Sequence, residues 1–254
     1  MKFVIAQCLA VLGFVGFLVF VSPETRGQKQ MDEEPTPVKK GQSTVEEIEY
    51  GKEYQKLYGG IFGIMKEKLS EPADSGTIRN STMYEEGPYF FGNEPEDAAQ
   101  FLSRQACKAD AIVIGAAKTK TAHLTEDEMF VYSKYEFEVK EVLKDNSSYP
   151  ISPNDVIAVT RPGGSVKLDG QTIRVNDENV KPLELKKGYL LFLRYIPTVN
   201  GYIYSDADAD FAIEGSTARS MSRPGGAPPD LRNGRPPLSQ LSEQVLAAKS
   251  AVCK

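Results

Sequence analysis

One histidine and three cysteines are all that this 254-residue chain holds as imidazole or thiolate metal ligands. Structural zinc takes four such ligands, and lone cysteines far apart with only His123 to join them do not make that site. The single histidine also leaves little for nucleophilic catalysis. Ser165 follows two glycines, yet no Gly-x-Ser-x-Gly pattern surrounds it. Basic residues are scarce in the same sense. Thirty Lys and Arg stand against 35 Asp and Glu, a net charge of −5, where a dedicated nucleic-acid binder carries a basic stripe. Pro162-Gly163-Gly164 is not followed by Gly-Lys-Ser/Thr and reads as a turn, not a phosphate cradle. These absences speak against an enzyme, a resident cofactor and a nucleic-acid partner.

Polarity is missing from one stretch only. Phe3 to Val21 is an apolar run in which Gln7 is the one strongly polar side chain. As a helix it spans roughly 28 Å, close to the hydrocarbon thickness of a bilayer. The run is longer than the apolar core of a removed signal, and Phe20-Val21-Ser22-Pro23 lacks small residues at the recognition positions. An uncleaved signal anchor is therefore expected over residues 1–22, with the membrane held through residues 3–21. The soluble part would face the periplasm or the extracellular space; secretion after cleavage is the alternative. Setting aside Cys8 within the run leaves Cys107 and Cys253 as an even pair. In an oxidising compartment they read first as a disulfide, otherwise as two buried thiols.

Charge and proline divide the remainder. Residues 24–100 carry 16 acidic and 9 basic side chains, residues 216–254 carry 2 and 6. Both ends read as solvated surface. Residues 23–43, with three prolines, read as a flexible tether. Residues 44–106 form a helical and loop extension. Tyr50, Tyr54, Leu57, Tyr58, Ile61 and Phe62 recur at helical spacing over 44–70, although Gly59, Gly60 and Gly63 weaken that helix. Residues 71–93 read as irregular, and a second helix is expected from Pro95 to Cys107.

From Asp110 to Glu214 the period is two. Ile112 to Ile114 reads as a buried strand. Tyr135, Phe137 and Val139 alternate with charged residues, with a phase shift before Val142 that implies a bulge. Val156 to Val159, a hairpin about Asp169-Gly170, Tyr189 to Leu193, a second hairpin signal at Asn200-Gly201, and Phe211 with Ile213 complete six or seven short strands. The tail from Ser216 to Pro237 reads as loop. Leu238, Leu241, Val245, Ala248 and Val252 mark a final amphipathic helix. The expected fold is mainly β with flanking helices: a sandwich or small closed barrel.

Three stretches in order carry a family likeness. Cys107-Lys108-Ala109-Asp110 leading into Ile112, Tyr135-x-Phe137-x-Val139 followed by Val142-Leu143-Lys144, and Lys187-Gly188-Tyr189-Leu190-Leu191 together resemble the netrin-like domain. That is the OB-type barrel also used by tissue inhibitors of metalloproteinases. The resemblance covers residues 107–214 plus the final helix, so residues 107–254 are expected to form the barrel domain. It also extends to exported bacterial proteins carrying this barrel. It implies a disulfide between Cys107 and Cys253. It does not carry over the inhibitory mechanism, which uses a free amino-terminal cysteine on the protease zinc. The chain also has Arg161-Pro162-Gly163-Gly164 where the family has Cys-Gly.

Two polar groups remain to be weighed. Asp206, Asp208 and Asp210 alternate and could offer carboxylates to Ca²⁺, yet Phe211 and Thr217 break the EF-hand template; a solvated turn is the plainer reading. His123 lies beside Glu126, Asp127 and Glu128 on what reads as a hairpin tip, a poor place to hold a general base. The leading functional expectation is a membrane-tethered binding or protein-interaction module. Its barrel face would take a protein or extended ligand, with Tyr132, Tyr202 and Tyr204 as candidate exposed aromatics. An extracellular protease inhibitor or modulator is the alternative, and a hydrolase with an unrecognised site comes third.

Overall fold

Alternating burial along long strands organises this molecule. The structure, a computed structural model, describes residues 34–39, 41–58, 78–83, 97–128 and 130–249, all within the unit 34–254. Over these residues it is mainly β, with four helices and two mixed sheets. The expected anchor at residues 3–21 lies outside the described residues. No described helix is long and apolar enough to cross a membrane.

The strands are β1 (Thr36–Pro37), β2 (Ile78–Met83), β3 (Ala111–Leu124), β4 (Val131–Lys144), β5 (Val156–Pro162), β6 (Gly164–Leu168), β7 (Gln171–Asp177), β8 (Gly188–Ile196), β9 (Gly201–Tyr204), β10 (Phe211–Glu214) and β11 (Thr217–Ser220). The helices are α1 (Val45–Tyr58), α2 (Ala98–Lys108), α3 (Pro229–Asn233) and α4 (Leu238–Lys249). The larger sheet runs β11-β10-β8-β3-β4-β5-β9, and β9 also pairs with β8. Five strands therefore pair in a ring: β3 with β4, β4 with β5, β5 with β9, β9 with β8 and β8 with β3. Of these five pairings, only β5 with β9 is parallel.

Period-two alternation explains the inner face of that ring. Tyr135, Phe137 and Val139 of β4 are fully buried with Val113, Val159, Leu191 and Tyr202. The phase shift before Val142 is a bulge: Ile114 pairs with Glu141 and Gly115 with Val139, so Lys140 is passed over. Gly115 is required there, because a Cβ would overlap the Glu138 carbonyl and the Phe137 ring. On the outer side, α2 and α4 cover β3 and β8. Phe101, Leu102, Leu241 and Val245 pack on Ile112, Leu190 and Phe192. Helix α2 begins at Asp97, whose carboxylate accepts from the Gln100 amide at 2.8 Å, one residue before its first turn. Pro95 lies outside the described residues.

Three segments differ from expectation. Thr36–Pro37, in the expected tether, pairs with β6 as an edge strand, where a proline without an amide hydrogen is tolerated. Ile78–Met83, in the expected loop, runs parallel to β7 over six residue pairs. The tail contains β11 and α3; Gly215, at φ +64°, turns β10 back on β11. All three are recruited through backbone hydrogen bonds to a neighbouring strand or by a proline-started turn, so hydrophobic periodicity does not mark them. The Asp169-Gly170 hairpin is as expected, both residues having positive φ (49° and 80°).

Candidate functional site

Helix α1 carries a stripe of buried tyrosines flanked by glutamates that pair with the sheet. Its start is a capping box: the Glu47 amide donates to Thr44 Oγ1 at 3.2 Å and the Thr44 amide donates to Glu47 Oε2 at 2.7 Å. Tyr50, Tyr54 and Tyr58 recur every four residues and are all buried. They meet Phe130 and Tyr132 from the start of β4, with Tyr54 stacked on Phe130 at 4.5 Å and Tyr50 at 5.4 Å from Tyr132. Flanking the tyrosines, Glu46 pairs with Lys134 (2.6 Å), Glu47 with His123 (3.1 Å) and Glu53 with Arg194 (3.1 Å). The helix thus lies on a sheet face drawn from β3, β4, β8 and β9.

Two glycines admit it. A Cβ at Gly201 would overlap the Tyr50 hydroxyl, and one at Gly51 would sit 3.3 Å from the Thr125 side chain. Burial raises the phenols of Tyr50 and Tyr132 well above their ordinary range, with nearby glutamates adding to the shift. Among the described residues, neither hydroxyl has a hydrogen-bond partner. At the far end of the helix, Tyr58 donates to Asp177 Oδ2 at 2.5 Å and lies 3.0 Å from the Tyr204 hydroxyl. Asp177 Oδ1 accepts from the amides of Asn179 and Val180 at 2.7 and 3.1 Å. Burial raises the Asp177 carboxyl above the usual range, outweighing those hydrogen bonds.

The three candidate ligand tyrosines are not exposed. Tyr132 and Tyr204 lie under α1, and Tyr202 packs inside the ring. Tyr202 keeps contact with Asn146 at 3.3 Å, and burial pushes its phenol up to about 12. The reason is length: β4 starts at Val131, earlier than the alternating stretch, and α1 supplies a cover that no local pattern announces.

The three aspartates do not converge either. Asp206 accepts from Lys108 at 2.9 Å and Gln105 at 3.2 Å. Burial opposes ionisation there, but Lys108, the Asp208 amide and Gln105 together outweigh it and hold the carboxyl below its usual range. Asp208 pairs with Arg223 at 3.3 Å. Asp210 pairs with Arg161, both 2% exposed, and also accepts from the Phe192 amide at 2.8 Å. Among the described residues, no group of three or more His, Cys, Asp or Glu side chains is placed to hold a metal ion.

His123 faces Glu47 and places Nε2 2.9 Å from Thr121 Oγ1, with its ring stacked on Tyr132. It is a contact of α1, separate from Ser165, which is buried beside the hairpin corner at Gly163 and Gly164. Arg161, next to that corner, donates to the Lys181 carbonyl at 2.7 Å, and burial lowers its pKa. Sequence reasoning missed α1's polar role, although Thr44-x-x-Glu47 before an aromatic repeat was a legible signal.

Cys107, in the last turn of α2, is disulfide-bonded, and Cys253 lies outside the described residues. No protein-family model matches this chain, and no curated protein matches it.

Proposed function

We propose that this protein is a membrane-tethered, extracytoplasmic binding module built on an OB-type barrel and closed by a Cys107–Cys253 disulfide. The observation that carries the reading is the five-strand ring with its one parallel pair, β5 with β9. Each of the five ring strands has a partner on both sides, which is the pairing an OB-type barrel uses. The stretches that carry the netrin-like resemblance lie at or within β3, β4 and β8, three of the five ring strands, and Cys107 lies in the last turn of α2, which leads into β3. An oxidised Cys107 fits an oxidising compartment, and the apolar run of residues 3–21 fits a tether. Catalysis has less support, since the carboxylates of the described core are engaged in ion pairs and hydrogen bonds. A protease inhibitor of the related kind would need a free amino-terminal thiol, and Cys107 is bonded mid-chain.

Fractionation of cells producing the full chain tests the reading. The protein should stay with membranes through alkaline carbonate extraction, and a chain lacking residues 1–22 should not. Full-length protein released by carbonate would contradict the tether.

A further inference from the structure

The face under α1 is complementary to a particular kind of helix. It presents the aromatic rings of Phe130, Tyr132 and His123 between two cations, Lys134 and Arg194. Helix α1 answers with tyrosines at every fourth position and glutamates on either side. This is the helix-in-groove arrangement, in which side chains on one stripe anchor and flanking charges orient. The fit is incomplete at its centre. The hydroxyls of Tyr50 and Tyr132 are fully buried with no hydrogen-bond partner among the described residues. Unpaired buried polar groups weaken α1's hold. A helix that brought an acceptor to Tyr132 would lack that defect.

We propose that this face is a helix-docking site, that α1 occupies it in cis, and that its ligand in trans is an acidic, tyrosine-bearing amphipathic helix of a partner protein. The proposal rests on reading the barrel as a binding module and names the chemistry of its partner. Release of α1 opens the face, so α1 sets the threshold for the partner.

A fluorescent peptide of residues 44–58 serves as the probe, titrated into the full chain in detergent. Wild type should bind it weakly. Tyr50→Ala/Tyr54→Ala and, separately, Glu46→Lys/Glu53→Lys should bind it at least about tenfold more tightly, because each loosens the resident helix. The second variant leaves the buried tyrosines in place and guards against loss of folding in the first. Adding Lys134→Glu/Arg194→Glu to it should restore the pairs in cis and abolish peptide binding. Equal binding by wild type and both variants, or none by folded variants, would overturn the proposal. So would self-association of the opened variants without peptide binding, or tighter binding of a single-stranded oligonucleotide than of the peptide. None of these outcomes touches carbonate extraction or the state of Cys107, so the docking site can fail while the tethered module stands.

Discussion

Arg161 is among the largest fully buried side chains of the described residues, and it pairs with Asp210. Removing one member of such a pair leaves the other charged and desolvated. Asp210→Ala should therefore cost about 3–5 kcal/mol, far beyond the effect of an exposed pair. Urea unfolding of the two proteins measures it; a loss under about 1 kcal/mol would mean that the arginine finds water or another partner. Asp177 tests burial with a different sign. Its folded pKa is raised, so it favours the folded state below the ordinary aspartate value, and that contribution is lost as pH rises through the raised value. Asp177→Asn removes the titration. Its stability relative to wild type should climb from about pH 4 upward. A flat difference across that window would show that the carboxyl is not perturbed by folding.

At the scale of elements, α1 is held by shape more than by charge. Gly201 lets the Tyr50 hydroxyl approach the chain, and alanine there should destabilise by about 1–3 kcal/mol. Tyr50→Phe in the same chain should recover most of that loss, because the overlapping oxygen is gone. Thermal melts of the two single variants and the double variant give the coupling, and purely additive effects would argue that the two residues do not touch. Glu53→Ala should cost no more than about 1 kcal/mol, since Arg194 is partly exposed. The ring strands were legible because one face of each is buried, which forces alternation: Tyr135, Phe137 and Val139 announce β4. The Asp169-Gly170 turn was legible because both residues need positive φ. Strand β2 was not, because it is held by backbone pairing to β7. The docking of α1 was not legible either, since Tyr132 and Arg194 lie some 80 and 140 residues beyond it and only the fold brings them together.

For the whole molecule, the proposed function joins three parts: an apolar anchor, an outward-facing domain, and a barrel whose first strand would be tied to the carboxyl-terminal helix. A link from Cys107 to Cys253 would close a loop of more than a hundred residues, worth on the order of 4–5 kcal/mol in the chain-entropy model. Reduction should lower the unfolding midpoint accordingly, with little change in the core, because the packing of α4 on α2 and β3 does not pass through the sulfur atoms. The most direct test is peptide mapping by mass spectrometry of the full chain from membranes, alkylated before and after reduction. The account predicts one linked peptide joining Cys107 to Cys253 that separates on reduction, with Cys8 alkylated at the outset. Cys107 joined to Cys8, or alkylated without reduction, would contradict it.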